Sequence, residues 1–125
     1  MIKKVIVADD NSDWRTILVG RIKEIFPDVE LEEICSGKDL VERVLQESYS
    51  LVFSDNNMEG GGDGLRALDK IRRAGNNVPF YIISSDSIRD KALELGANGY
   101  YDKFDFAVDS DILDKIKRDF AQYLQ

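Results

Sequence analysis

Five polar side chains stand where short apolar runs of this sequence end. Asp9 and Asp10 follow Lys4 to Ala8 (KVIVA), and Asp55 follows Ser50 to Ser54 (SLVFS). Ser84 closes Val78 to Ser84 (VPFYIIS), and Lys103 follows Gly99 to Asp102 (GYYD). Three carboxylates gathered in one place repel one another, which raises their pKa values or recruits a cation. Hard oxygen ligands with room for water suit Mg2+ rather than a soft metal. A carboxylate beside such an ion is a nucleophile toward phosphorus and gives an aspartyl phosphate. The metal neutralises charge on the phosphoryl oxygens, while a lysine and a hydroxyl hold the others. Asp55 is the best nucleophile, because it ends the middle strand and precedes a loop, Asn56 to Asp63, containing Gly60, Gly61 and Gly62. One aspartate in such a place is more often a loop acid beside a helix N-terminus, favoured by the dipole. Three acids, a hydroxyl and a lysine on consecutive strand ends are better read as a functional set.

These residues can act together only if the chain brings the run ends to one rim. The continuous apolar runs read as buried strands over 4–8, 29–35, 50–54, 78–84 and 99–102. Between them, apolar residues recur at helical spacing. Trp14, Leu18, Ile22 and Ile25 mark a first helix within 11–26, capped by Asn11 or Ser12 and stopped by Pro27. Leu40, Val41, Val44 and Leu45 mark a second helix after Ser36-Gly37, and Leu65, Leu68 and Ile71 a third that stops at Gly75. Ser87 and Asp90 fit a capping box for a fourth helix ending near Gly96. Ser110 caps a last helix with Leu113, Ile116, Phe120 and Leu124 inward. Five strands alternating with five helices predict an α/β fold, a doubly wound five-stranded parallel sheet in three layers, helices on both faces. The length fits one domain over residues 1–125. In such sheets the working site lies beyond the carboxyl ends of the strands, near the switch point.

Composition removes several function classes. The 125 residues are 43% hydrophobic, enough for a core, and carry 24 acidic against 17 basic side chains, a net charge of −7. That balance excludes a free-standing nucleic-acid binder. The absence of histidine excludes His-based triads, His metal sites and a phosphohistidine on this chain. The single cysteine, Cys35, excludes an internal disulfide and reads as half-buried filler near a strand end. The longest mostly apolar run, 78–83, is too short for a membrane span, and Met1 leads into Ile2-Lys3-Lys4-Val5 with no secretory stretch. The expectation is a soluble, cytoplasmic domain with no membrane partner. The spacing Asp55-x-Asn57-x-Glu59-Gly60 imitates half a calcium loop, but Arg66 stands at its twelfth position. No Gly-Lys-Ser/Thr follows the glycines, and no G-x-G-x-x-G follows the first strand. Asp9-Asp10 also lacks the Asp-x-Asp spacing of haloacid-dehalogenase-type phosphatases. Arg72-Arg73 and the cluster 115–118 read as solvated helix faces.

Four strings then stand in order at telling separations: VIVADDNSDW (5–14), LVFSDNNMEGGGDGL (51–65), PFYIISSDS (79–87) and GANGYYDKF (96–104). Together they resemble the response-regulator receiver domain, the CheY-like family of two-component signalling, over essentially the whole chain. The resemblance implies a flavodoxin-like strand order 2-1-3-4-5. It implies that Asp55 is the phospho-acceptor and that Asp9 and Asp10 are the acidic pair, Asp10 being the more direct Mg2+ ligand. Asn57 would offer its backbone carbonyl to the metal. Ser84 would meet the phosphoryl group through its hydroxyl, and Lys103 would pair with it. Tyr100 matches the aromatic that changes rotamer between states, and Ser85 a position where the family prefers a small residue. Asn57 and Asp86 match the variable positions that tune phosphate lifetime. The implied cofactor is Mg2+. The implied donor is a sensor histidine kinase or a phosphotransfer protein, and the implied recipient a downstream protein target or a missing output domain. The domain would be a monomer or a phosphorylation-linked dimer, with no direct nucleic-acid contact. It would be no enzyme beyond assisting its own phosphorylation and dephosphorylation. Phosphorylation would draw Ser84 and Lys103 inward, let Tyr100 turn, and change the surface of the fourth helix, fifth strand and last helix.

The chain departs from that pattern in three places. Glu59 follows Met58 where the family often has proline. Asp63-Gly64 falls one residue late, which implies a one-residue insertion and, with three glycines, an unusually loose loop. Phe104 follows Lys103 where the family usually has a cis proline. A non-proline cis bond costs ~3 kcal/mol, so the peptide is either trans with a different loop, or strained. Two other readings remain at this level. A phosphorylation-independent pseudo-receiver that only binds partners draws slight support from the missing proline and enlarged loop, and the intact Asp9, Asp10, Asp55, Ser84 and Lys103 argue against it. A Mg2+-dependent phosphatase is disfavoured by the lack of an acid–base residue beside Asp55.

Overall fold

A computed structural model describes residues 3–120. The apolar runs form β1 (Lys4–Ala8), β2 (Glu30–Ile34), β3 (Leu51–Ser54), β4 (Phe80–Ser84) and β5 (Gly99–Asp102). All pair in parallel in the order β2-β1-β3-β4-β5, the expected 2-1-3-4-5 sheet. β3 and β4 are buried at every residue, which is why they are apolar without alternation. β2 lies at an edge and carries Glu30, Glu32 and Glu33, charges that discourage pairing with another chain.

The helices are α1 (Ser12–Ile25), α2 (Gly37–Gln46), α3 (Asp63–Arg73), α4 (Arg89–Glu94), α5 (Lys103–Val108) and α6 (Ser110–Asp119). Asn11 caps α1, its side chain accepting from the Trp14 amide at 2.9 Å. Period-two alternation along the strands makes two cores. Val5, Val7, Phe53, Tyr81 and Ile83 face Leu18 and Ile22 of α1, Phe106 of α5 and Ile116 of α6. Ile6, Ala8, Val52, Phe80 and Ile82 face Leu40 of α2, Leu68 and Ile71 of α3 and Ala92 of α4. The three expected layers follow.

Several local expectations need correction. Six helices form among the described residues, not five, because KFDFAV makes a helix of its own. Such a short stretch shows no helical period. It is nucleated by Asp102, whose carboxylate accepts from the amides of Phe104 at 2.9 Å and Asp105 at 3.1 Å. Asp109, not Ser110, caps the helix that follows, accepting from the Asp111 amide. No cis peptide occurs among the described residues, so the Lys103–Phe104 bond is trans. The capping box of Ser87 and Asp90 does not form. The chain turns instead on Asp86, whose carbonyl accepts from the Ile88 amide at 3.0 Å, and α4 starts at Arg89 without a side-chain cap. Cys35 is exposed rather than half-buried. Arg72 is no solvated face: its guanidinium donates to the carbonyls of Gly96 and Asn76 and to Asn98 Oδ1, tying α3 to the approach of β5. Leu124 lies outside the described residues. No helix among these residues is long and apolar enough to cross a membrane.

Candidate functional site

β1 and β3 are neighbours, so the residues that follow them are neighbours too. The Asp55 amide donates to the Ala8 carbonyl at 2.8 Å and the Asp9 amide to the Ile34 carbonyl at 3.0 Å, extending the ladders by one bond each. Asp9 is fully buried, Asp55 is 5% exposed and Asp10 faces solvent. One carboxylate oxygen from each of Asp9, Asp10 and Asp55 lies within 4.8 Å of the others. Lys103 enters from the far side as the first residue of α5. Its Nζ is 2.9 Å from Asp9 Oδ2 and 3.3 Å from Asp55 Oδ2.

Other contacts fix the acids in place. The Asn11 amide donates to Asp9 Oδ1 at 3.0 Å, and Arg15 Nη1 donates to the Asp9 carbonyl at 2.8 Å. The Asn56 amide donates to Asp55 Oδ1 at 2.8 Å. The Lys103 ammonium nevertheless pairs with only two of the three carboxylates, Asp9 and Asp55. Asp9 Oδ2 is buried and, although ion-paired, receives no well-directed hydrogen bond. An orphaned buried oxygen in a hard-oxygen set with surplus negative charge fits a divalent cation.

The Asp55 carboxyl is held above the ordinary value of 3.8. Burial is the largest cause, the Lys103 charge opposes it, and the Asp9 charge adds to it. The folded chain therefore holds this proton more tightly than the unfolded chain does. Its contribution to stability is present at low pH and is lost as pH rises through the folded value. In metal-free buffer, Asp55→Asn is expected to melt at a higher temperature than the parent at neutral pH. That advantage shrinks as the pH falls toward 3.8, which thermal melts across pH will show.

The other expected residues gather on the β4 side. Ser84 is buried, and its Oγ accepts from the Asp86 amide at 3.1 Å, leaving its own proton free to donate. The Tyr100 hydroxyl donates to the carbonyls of Ser84, at 3.1 Å, and Asp86. Tyr100 thus already lies against the turn after β4. Burial pushes its phenol pKa up, helped by the charges of Asp102 and Asp86. Ser85, the next residue, is exposed.

Asn57 is exposed, and its side chain spans two loops: Nδ2 donates to the Asp86 carboxylate and Oδ1 accepts from the Gly62 amide at 2.9 Å. The loop after β3 is accordingly laced rather than loose. Asp63 Oδ2 accepts from the Gly60 amide at 2.8 Å, and Arg66 pairs with Asp63 and donates to the Gly61 carbonyl at 2.6 Å. Only Gly62 needs its freedom here, with φ +82° ahead of α3. Asn56 and Arg15 were missed in the sequence. Asn56 Nδ2 donates to Asp86 at 3.3 Å while its Oδ1 accepts from the Leu65 amide at 3.2 Å. Arg15 falls outside the apolar period of its helix, and Asn56, though it stands two residues past Ser54 as Asp10 does past Ala8, carries no charge to flag it.

The family model for the response regulator receiver domain matches residues 5–116. Among solved structures, a CheY-like response regulator receiver domain protein from Methanospirillum hungatei JF-1 is 17% identical with a TM-score of 0.78, over 98% of this chain and 96% of its own. Response regulator TrrA from Thermotoga maritima, in complex with Mg2+ and BeF, is 23% identical with a TM-score of 0.77, over 94% and 98%. A DNA-binding response regulator of the LuxR family from Staphylococcus aureus is 23% identical with a TM-score of 0.76, over 94% and 98%. At these identities the likeness is one of fold.

Proposed function

The chain belongs to the response regulator receiver domain family, and from that premise we propose that it accepts a phosphoryl group on Asp55 and works as a phosphorylation switch. The observation that carries this reading is the convergence of three carboxylates within 4.8 Å, with Lys103 Nζ between two of them. Asp9, Asp10, Asp55 and the Asn57 backbone carbonyl would hold Mg2+. Bound there, the ion supplies neutralisation of negative charge on the phosphoryl oxygens.

An Asp55 carboxylate oxygen forms the bond to phosphorus, and the donor's leaving group departs with the bonding electron pair. The donor is a sensor histidine kinase or a phosphotransfer protein, since this chain has no histidine of its own. The new group adds about one to one and a half negative charges beside Asp9. Lys103 Nζ is then drawn from the carboxylates toward the phosphoryl oxygens, and the Ser84 proton points the same way. Asp86 ties these events to the surface, because its amide holds Ser84 Oγ and its carbonyl holds Tyr100. Movement of Ser84 pulls on that turn, Tyr100 follows, and the surface of α4, β5 and the helices after it changes. A downstream target, or an output domain, responds to the extent that it binds one surface better than the other. Asn57 and Asp86 bridge the loops over the acceptor, which suits residues that set how fast water removes the phosphate.

Beryllofluoride with Mg2+ mimics the phosphorylated carboxylate and tests the switch without a donor. Trp14 is the only tryptophan and lies beside Lys103, so its fluorescence reports the event. The expected result is a saturable fluorescence change in the parent, absent in Asp55→Asn, with shifted amide resonances for Ser84, Asp86 and Tyr100. No Asp55-dependent change in either signal overturns the switch.

A further inference from the structure

Phe104 is the strongest departure from the family pattern beside the site, and the structure gives its side chain a use. The peptide joining it to Lys103 is an ordinary trans bond. Lys103 is nevertheless held against two carboxylates with only 10% of its side chain exposed. Two rings stand on its other side, one against the ammonium and one against that ring. The Trp14 indole lies beside the ammonium, with Nζ 5.0 Å from the ring centroid. The Phe104 ring meets the indole edge-on, with centroids 5.2 Å apart and planes at 85°. Phe104 is 63% exposed, so burial alone does not explain a ring there. Trp14 is itself anchored through its amide to Asn11 Oδ1, in the segment that carries Asp9 and Asp10.

An ammonium is attracted to an aromatic face within about 6 Å of the centroid. Edge-to-face ring pairs are favourable because the positive edge of one meets the negative face of the other. The carboxylates pull Lys103 Nζ from one side, and the indole holds it from another. Phe104 follows Lys103 in the chain, so its contact with Trp14 pins the start of α5 to the start of α1 with the lysine between them. We propose that Trp14 and Phe104 are positioning residues that brace Lys103 over Asp9 and Asp55. The consequence for phosphoryl uptake rests on the receiver reading; the brace itself does not.

Phe104→Ala removes the brace while keeping both Trp14 and Lys103, and its exposure makes the variant safe for folding. With the ammonium over the indole, the ring current is expected to move the Lys103 side-chain methylene resonances upfield of those of the other lysines. In Phe104→Ala that shift is expected to shrink. Uptake from acetyl phosphate is expected to slow about two- to tenfold, the range of the edge-to-face ring pair that is lost. Phe104→Tyr, which keeps the ring, restores both the shift and the rate. A full methylene shift with parental uptake in Phe104→Ala overturns the brace, as does a Phe104→Tyr protein no better than the alanine variant. Should the parent take up no phosphoryl group, the receiver reading fails, and the methylene shift alone still decides the brace: retained in Phe104→Ala it is refuted, lost there and restored in Phe104→Tyr it stands.

Discussion

Replacing Lys103 with methionine is expected to make the fold depend on a divalent cation. Lys103 Nζ lies within 3.3 Å of both Asp9 and Asp55, and Asp9 is fully buried. Methionine keeps the apolar stem and removes the charge, which leaves a buried carboxylate facing another across an uncompensated gap. Removing one partner of a buried pair costs about 3–5 kcal/mol, because the remaining charge stays desolvated. In the presence of chelator, urea denaturation should show a loss of that order relative to the parent. A cation that binds only the folded chain returns stability in proportion to its occupancy. Millimolar Mg2+ should therefore rescue Lys103→Met by more than it stabilises the parent. Equal stability of the two proteins in chelator would mean that Lys103 does not compensate these acids.

The second large effect is expected at Gly64. A Cβ there would sit 2.3 Å from the Asp55 carbonyl oxygen and 2.8 Å from Asn56 Cα, both backbone atoms. Real side chains do not tolerate such contacts, so either the start of α3 retreats or the end of β3 shifts. Retreat breaks the 2.8 Å bond from the Gly64 amide to the Asn56 carbonyl and the 3.2 Å bond from the Leu65 amide to Asn56 Oδ1. Overpacking and the lost bonds together should cost Gly64→Ala about 2–4 kcal/mol. Either movement also displaces Asp55, so phosphoryl uptake should fall by more than about tenfold, since small misplacements of reacting atoms are expensive. Measuring stability and uptake on the same preparation checks both; a Gly64→Ala protein with parental values in each would show that α3 does not set the position of Asp55.

What the sequence made legible is what repeats. β1, β3 and β4 are continuous apolar runs because both faces of the sheet are covered, and a polar residue at each run's end stands out against them. Asp9, Asp55 and Ser84 were found in that way, while Lys103 follows β5, whose residues are only partly buried, and opens α5. α5 was missed because KFDFAV is too short to show a period, and its cause is a carboxylate, Asp102, one residue before it. The looseness read into Gly60-Gly61-Gly62 was wrong for a related reason. Glycine lowers the order that a backbone holds on its own, but here Asn57, Asp63 and Arg66 supply bonds from outside the triplet. The bridge from Asn56 and Asn57 to Asp86 joins side chains 30 and 29 positions apart, and no local pattern encodes it. Arg15, which holds the Asp9 carbonyl, reads in the sequence as one more exposed helix cation.

Incubation with radiolabelled acetyl phosphate and Mg2+, comparing the parent with Asp55→Asn, tests phosphoryl acceptance most directly. The account predicts label retained by the parent, mapped to the peptide containing Asp55, and none on the variant. Label that never appears on the parent would contradict it and leave a domain that binds partners without phosphorylation; rapid release of phosphate from varied esters would contradict it in favour of a phosphatase.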